Sequence, residues 1–177
     1  MGGTPGCAEG SFRRARRRGE LPAGRTRVLL WPKGARVSRI YWDTMLFIYW
    51  LEDHPQFAKR VDAIHSRMQE RNDQLLTAAF TIGEVLAGIY RQGKSGSAKQ
   101  TKEALLSVVS EVVEFTADTA ERYGQIRGSL GVAAPDAIHL ASAAEAGTDL
   151  FLTNDKRLLG KFVRGVQFIA SLDTQLF

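Results

Sequence analysis

From residue 39 onward, short runs of β-branched and aromatic residues alternate with stretches whose apolar residues recur at three- and four-residue steps. The predicted strands span residues 39–43, 75–78, 112–115, 150–153 and 166–169, and the predicted helices span 44–51, 57–68, 81–91, 98–109, 118–130 and 135–146. Parallel strands need a long crossover connection, usually a helix, so this alternation predicts an α/β fold with three α/β/α layers. The central sheet would hold 4–5 mostly parallel strands, with helices on both faces.

Single residues predict some of the helix boundaries. Asp118 would cap the helix over 118–130, because its carboxylate can accept hydrogen bonds from the free backbone N–H groups of the first turn. Pro135 suits the first turn of the next helix, and Gly147 suits the position just after its end.

The N-terminal segment differs from the rest of the chain in charge and composition. Residues 1–39 contain ten basic and two acidic residues, a net charge of +8, while residues 40–177 contain 14 basic and 17 acidic residues, a net charge of −3. The segment has no helical or strand period and is rich in Gly, Pro and Arg. We therefore predict a disordered basic tail over 1–38 and one folded domain over 39–177.

Three roles remain open for this tail. It could be an upstream extension that adds nothing to the fold, a basic arm that binds RNA or a partner through phosphate contacts, or an organelle transit peptide. The transit peptide fits worst, because the segment has few Ser and no amphipathic repeat. Since no apolar periodicity ties residues 1–36 to the core, we expect them to be dispensable for folding.

Composition excludes several classes of protein. The single cysteine, Cys7, excludes a disulfide framework and a cysteine-based zinc site. The longest apolar run, Met45 to Leu51, is far shorter than a membrane span. We therefore expect a soluble, cytoplasmic protein that does not associate with membranes. The overall net charge of +5 is typical of nucleic-acid binders, but its surplus belongs to the tail.

Four acidic residues lie at or soon after the carboxyl ends of predicted strands or at the start of a predicted helix, where an α/β fold usually forms its binding site. Asp43 ends the first predicted strand, and Asp155 follows the fourth. Glu84 lies in the first turns of the helix after the second strand, and Asp136 follows Pro135 at the start of its helix. In open parallel sheets, ligands bind outside the carboxyl ends of the strands.

These four carboxylates have two readings. Each acid could be structural, and Asp136 in particular could simply interact favourably with the helix dipole. As a cluster, however, they would repel one another unless a cation lay between them. Oxygen ligands without a Cys or His cluster suit Mg²⁺ or Mn²⁺, which can activate water and neutralise charge on a phosphodiester. The set therefore supports metal-assisted phosphodiester hydrolysis.

Four segments of the chain resemble the PIN-domain family, most closely its VapC-like toxins. The resemblance covers about residues 39–172, and its order along the chain makes it specific. The segments read Ile40-Tyr41-Trp42-Asp43-Thr44, Thr81-Ile82-Gly83-Glu84-Val85-Leu86-Ala87-Gly88, Pro135-Asp136-Ala137-Ile138-His139-Leu140-Ala141 and Phe151-Leu152-Thr153-Asn154-Asp155.

The resemblance implies an endoribonuclease that uses Mg²⁺ or Mn²⁺, with a catalytic and metal-binding quartet. That quartet would be Asp43, Glu84, Asp136 and Asp155, and the site would be organised by Thr44, Thr153 and Asn154. It also implies a homodimer that is inhibited by a small cognate antitoxin. Met45 departs from the family pattern, because many members have Asn or Ser there.

Several other residues could contact the RNA substrate or a second metal ion. The cations that could contact RNA phosphates are Arg91, Lys94, Lys156, Arg157 and Lys161, although each could equally be a solvated surface charge. His139 lies one helical turn after Asp136 and could contact substrate or a second metal, although packing or hydrogen bonding explains a histidine there more simply.

The aromatic residues near Asp43 also have two readings. Tyr41, Trp42, Phe47 and Trp50 could stack on RNA bases, but their density favours a core or dimer interface. Leu46, Tyr49 and Trp50 are candidate docking positions for an antitoxin or a second subunit.

Two further functions compete with the toxin ribonuclease. One is a PIN-type RNA-processing nuclease outside toxin–antitoxin systems. The other is a catalytically weak RNA-binding regulatory domain, which Met45 and the basic tail would favour.

Overall fold

A computed structural model describes residues 37–174, so the predicted tail over 1–38 falls almost entirely outside the described residues. Five strands and six α-helices form within 37–174. In chain order they are β1 (Arg39–Trp42), α1 (Thr44–Leu51), α2 (Ala58–Arg71), β2 (Gln74–Ala78), α3 (Ala79–Arg91), α4 (Ala98–Val108), β3 (Glu111–Val113), α5 (Ala117–Leu130), α6 (Ala134–Glu145), β4 (Thr148–Thr153) and β5 (Val166–Ser171).

The five strands form one sheet in the order β3-β2-β1-β4-β5, and every pair is parallel. The chain moves outward from β1 to β2 and β3, and then returns to place β4 on the other side of β1. The strand order therefore reverses between β1 and β4. At such a point the connections after the two strands diverge and leave a crevice at their carboxyl ends.

Helices cover both faces of the sheet. Because successive strand side chains point to opposite faces, Ile40 and Trp42 join a core with residues of α1 to α4, while Tyr41 joins a second core with residues of α5 and α6. The predicted three-layer α/β/α architecture is confirmed. No helix within residues 37–174 is long and apolar enough to cross a membrane.

The prediction that Asp118 caps a helix is wrong. Helix α5 begins at Ala117, and its N-cap is Thr116, whose hydroxyl accepts from the Thr119 N–H at 3.3 Å. The Thr119 hydroxyl accepts from the Thr116 N–H in return, so the two form a capping box. Asp118 lies in the first turn, where its charge interacts favourably with the helix dipole.

Other boundaries differ from the predicted ones by up to three residues. Strand β1 ends at Trp42, so Asp43 is the N-cap of α1 and not the last strand residue. Contacts with the sheet begin at Ser38, one residue earlier than predicted: its N–H bonds to the Asp73 carboxylate and its carbonyl accepts from the Gln74 N–H.

His65 is a buried histidine that should make stability depend on pH. It is 3% exposed and packs against Trp42 and Trp50, with ring centroids 6.0 and 4.6 Å away. Burial lowers its pKa below the ordinary 6.5, although Asp62 partly opposes this. The unfolded chain therefore binds the proton more readily, and stability is complete above about pH 6.5 and falls as the pH drops below it.

The check is urea denaturation of wild type and His65→Phe at pH 7.5 and pH 5.0. We expect the wild type to lose more stability than the variant on acidification, because phenylalanine cannot titrate. Equal losses in the two proteins would show that His65 contributes nothing to the pH dependence.

Candidate functional site

Asp43 and Asp155 follow the two strands that flank the reversal of strand order. In the parallel pairing of β1 with β4, Trp42 lies beside Leu152, and the Asp43 N–H donates to the Leu152 carbonyl at 3.1 Å. Asp43 therefore lies next to Thr153 at the carboxyl end of β4, two residues before Asp155. Both acids are half-buried at the carboxyl edge of the sheet, beside the reversal of strand order.

Thr153 ties the two acids together. Its hydroxyl donates to Asp43 Oδ2 at 2.5 Å and accepts from the Asp155 N–H at 3.0 Å. The second oxygen of Asp43, Oδ1, accepts from the Met45 N–H at 2.8 Å and so caps α1. A carboxylate has about four lone-pair positions, so these two bonds fix Asp43 and still leave positions for another ligand.

Asp136 belongs to the same cluster of charge. It is half-buried in the first turn of α6. Burial raises the pKa of its carboxyl group, and the negative charges of Asp155 and Asp43 raise it further, while Arg157 opposes the rise. Asp136 is therefore close enough to Asp155 and Asp43 to be repelled by both. We refer to Asp43, Asp136 and Asp155, with Glu84 beside them, as the acidic edge.

Arg157 supplies positive charge to the acidic edge. Its Nη2 atom lies 2.5 Å from Asp155 Oδ2 and 3.8 Å from Asp136 Oδ2, although 75% of its side chain is exposed. Its backbone N–H also donates to Asp155 Oδ1 at 2.9 Å. The bonds from Arg157 lower the pKa of Asp155, in the direction opposite to the shift of Asp136.

Glu84 projects from the second turn of α3 and is anchored by two partners. Its Oε2 atom accepts from the Thr44 hydroxyl at 2.5 Å and lies 2.9 Å from His139 Nε2. Burial alone would raise the pKa of Glu84, but the bonds from His139 and Thr44 outweigh it and leave the pKa below its ordinary value. Because Thr44 follows Asp43 directly, it links Glu84 to the rest of the acidic edge.

A comparison with models of known protein families identifies the family of this chain. The sequence model of the PIN domain matches residues 40–161. The chain belongs to the PIN-domain family. PIN domains are nucleases that generally use divalent metal ions, and the matched range contains the whole acidic edge. A comparison with curated proteins gave no match.

Three solved structures share the PIN-domain fold of this chain. VapBC2 from Rickettsia felis, bound to a promoter DNA fragment, is 17% identical over 75% of this chain and 98% of its own, with a TM-score of 0.59. DNA-bound VapBC from Salmonella typhimurium is 19% identical over 77% and 99%, with a TM-score of 0.60. A toxin–antitoxin complex from Klebsiella pneumoniae is 22% identical over 72% and 94%, with a TM-score of 0.52.

The donor set of this PIN domain suits a hard divalent cation. The acidic edge offers four carboxylates and two threonine hydroxyls, and such oxygen ligands are those that Mg²⁺ and Mn²⁺ prefer. Within residues 37–174, no three acidic, His or Cys side chains are arranged to hold an ion as they stand. Arg157 already pairs with Asp155, so an ion would have to replace this guanidinium.

The PIN domain does not bring all of the predicted site residues to the acidic edge. Asn154 donates to the Tyr49 hydroxyl at 3.1 Å, and Lys156 is exposed beside Asp155. Lys161 instead bonds to the Leu130 carbonyl at the C-terminal end of α5. Arg91 ends α3 seven residues after Glu84, about 10 Å farther along the helix axis.

The aromatic residues near Asp43 form part of the core of the PIN domain and are not a surface. Tyr41, Trp42 and Phe47 are 0% exposed and Trp50 is 3% exposed, so they cannot stack on RNA bases. Leu46 is also 0% exposed, and the expectation that Leu46 and Trp50 dock a partner is therefore wrong. Tyr49 is half-buried and packs on Phe57, with ring centroids 4.6 Å apart.

Sequence reasoning missed one residue of this site. Tyr41 lies beneath the acidic edge in β1, and its hydroxyl is 3.0 Å from His139 Nδ1. The signal was available in the spacing: Tyr41 and Asp43 are two residues apart, the backbone stays extended through Asp43, and alternate residues of extended chain point to the same side. Finding its partner, however, required the packing of α6 against the sheet.

Proposed function

We propose that this PIN domain is an endoribonuclease that hydrolyses RNA phosphodiester bonds with Mg²⁺ or Mn²⁺ held by Asp43, Glu84, Asp136 and Asp155. The observation that carries the proposal is the crowding of the carboxylates that follow β1 and β4 with the carboxylate in the first turn of α6, which contributes to the raised pKa of Asp136. Like charges gathered in one place need a counter-charge, and a divalent cation would supply it.

Each residue at or beside the acidic edge would have a role that follows from its position. A bound ion would supply an activated water and neutralise charge on the scissile phosphodiester. Asp43 would bind from the start of α1, with its orientation fixed by Thr153 and by the Met45 N–H. Glu84 would bind from α3, with its orientation fixed by Thr44 and His139. Lys156 is exposed next to Asp155 and would contact phosphate.

Arg157 would have two successive partners. Its guanidinium pairs with Asp155 and lies near Asp136, where it places a single positive charge beside these acids. When metal binds, the exposed side chain would be released and free to contact an RNA phosphate. Arg157 would therefore compete with the metal but assist the substrate.

Arg157→Ala should raise the affinity for Mn²⁺ by about two- to fivefold, because the exposed ion pair that competes with the metal is weak. It should also lower RNA affinity and reduce the salt dependence of binding by about one phosphate contact. Calorimetric titration with Mn²⁺ and RNA binding at several salt concentrations measure the two effects. Arg164→Ala is the control, because it removes another exposed arginine. If Arg157→Ala bound Mn²⁺ no more tightly than wild type, Arg157 would not compete with the metal.

Cleavage itself is tested with purified protein and a circular RNA, which only an endonuclease can open. We expect linear products with Mn²⁺ present, none after EDTA treatment, and recovery when excess Mn²⁺ is restored. Cleavage that persists in EDTA would refute the metal-dependent mechanism.

We further infer that this nuclease is the toxin of a toxin–antitoxin pair, that it forms a homodimer, and that a cognate antitoxin inhibits it. The support is the fold shared with the toxin–antitoxin complex and the two VapBC structures. Induced expression in a bacterial host should arrest growth, and the product of a neighbouring gene should relieve the arrest. Normal growth together with cleavage in vitro would instead favour RNA processing.

A second candidate is a catalytically silent RNA-binding domain. The pairing of Arg157 with Asp155 favours it, because a neutralised acid has less need of a cation. This candidate predicts RNA binding without turnover in Mn²⁺, and weaker binding after residues 1–38 are removed. The cleavage assay described above separates the two functions.

A further inference from the structure

A buried chain of hydrogen bonds connects the core to Glu84. The Tyr41 hydroxyl lies 3.0 Å from His139 Nδ1, and His139 Nε2 lies 2.9 Å from Glu84 Oε2. Tyr41 is 0% exposed, His139 is 5% exposed, and the Glu84 side chain is 30% exposed. The chain therefore begins inside the protein and ends at a carboxylate that solvent can reach.

The bonding partners assign the hydrogens along this chain. A carboxylate only accepts hydrogen bonds, so the hydrogen that bonds to Glu84 is on His139 Nε2. In a neutral imidazole, Nδ1 is then an acceptor, and a phenol retains its hydrogen at neutral pH. In this neutral form Tyr41 donates to His139, and His139 donates to Glu84. Tyr41 selects the tautomer of His139 that can bind Glu84.

The position of the imidazole is fixed by packing as well as by these bonds. Its ring meets Tyr41 and Phe80 edge to face, with centroids 6.1 and 5.4 Å away. The Thr44 hydroxyl also donates to Glu84 Oε2, so two donors meet at one oxygen. Neither the Thr44 hydroxyl nor His139 Nε2 bonds to the second carboxylate oxygen of Glu84, Oε1. Oε1 is therefore the oxygen left for an ion or for one of its waters.

We propose that His139, with its tautomer selected by Tyr41, is a positioning residue that holds Glu84 Oε2 so that Oε1 faces the bound cation. The proposal rests on the proposed function, because it needs Glu84 to serve a divalent ion. It excludes direct contact of His139 with metal or substrate, because both ring nitrogens are already occupied. Histidines that bind metal directly depend on a similar second partner, and removing such outer partners weakens metal binding about 10- to 100-fold.

Three variants separate positioning from packing. Tyr41→Phe removes one hydroxyl and keeps the ring that stacks on Phe151, 5.2 Å away. His139→Leu removes both ring nitrogens, while His139→Gln can restore a donor near the position of Nε2. Tyr90→Phe is the matched control, because it removes a tyrosine hydroxyl from a side chain that is 58% exposed.

The readout is the affinity for Mn²⁺ alone, measured by calorimetry on protein whose circular dichroism shows it to be folded. We expect about 10-fold weaker binding in Tyr41→Phe, up to about 100-fold weaker binding in His139→Leu, and substantial recovery in His139→Gln. Nitrogen-15 shifts of the His139 ring should place the hydrogen on Nε2 in wild type and on Nδ1 in part of the Tyr41→Phe molecules. Tyr90→Phe should match wild type in both measurements.

The outcomes separate this proposal from the one it rests on. Wild-type protein that binds no Mn²⁺ would overturn both. Mn²⁺ binding that is equally tight in wild type, Tyr41→Phe and His139→Leu would overturn the positioning role alone. Equal loss in His139→Leu and His139→Gln, with Tyr41→Phe unchanged, would assign His139 to packing and overturn the proposal as well.

Discussion

Asp43→Asn is expected to lower the rate of RNA cleavage by about 10³-fold while the protein remains folded. The asparagine is isosteric and can still cap α1 through its carbonyl oxygen, so the helix start is preserved. It carries no charge, however, and it places an amide where Asp43 Oδ2 now accepts from Thr153. A loss of 10³-fold corresponds to about 4 kcal/mol of transition-state stabilisation, which is within the range that a metal ion supplies.

The measurement is initial cleavage rates in Mn²⁺ at equal concentrations of folded protein. Asp118→Asn is the matched control, because it removes an exposed carboxylate from the first turn of α5, outside the acidic edge. It should cleave at the wild-type rate. An Asp43→Asn protein that cleaves as fast as Asp118→Asn would remove Asp43 from the site.

Phe47→Ala is expected to destabilise the protein by about 3–5 kcal/mol, a large share of the stability of an ordinary domain. Phe47 is 0% exposed on α1, and its ring packs on Trp42 with centroids 5.4 Å apart. Truncation removes apolar contacts and leaves a cavity beside the strand that positions Asp43. Urea denaturation gives the free energy of unfolding directly.

Phe162→Ala is the control for this experiment, since Phe162 is 82% exposed. The chemical change is identical, but the lost side chain contributes little apolar burial, and stability should stay within about 0.5 kcal/mol of wild type. Similar losses in the two variants would contradict the assignment of α1 to the core.

The fold could be predicted from the sequence because its signals are local. Alternating strand and helix patterns required parallel strands, and the acids after β1 and β4 marked the carboxyl edge before the strand order was known. The start of α5 was missed because Thr116 and Asp118 are both residues that cap helices well. Only the extended backbone at Thr116 decides between them.

The candidate site was predictable only in part, because side-chain partners depend on packing. Asp43 and Asp155 follow adjacent strands, but the pairing of Arg157 with Asp155 is a choice of rotamer that no spacing reveals. His139 could be placed on the face of Asp136, yet its bonds to Tyr41 and Glu84 join three separate elements. The docking prediction for Leu46 and Trp50 was wrong because α1 is apolar on every side, so its sequence does not separate the buried positions from Met45, which is 40% exposed.

Anomalous scattering at the manganese edge, from crystals soaked in Mn²⁺, would test the central claim most directly. The account predicts a peak within coordination distance of Asp43 and of at least one other acid of the acidic edge, with Arg157 moved away from Asp155. A peak elsewhere on the chain, or none at a concentration that supports cleavage, would contradict the account.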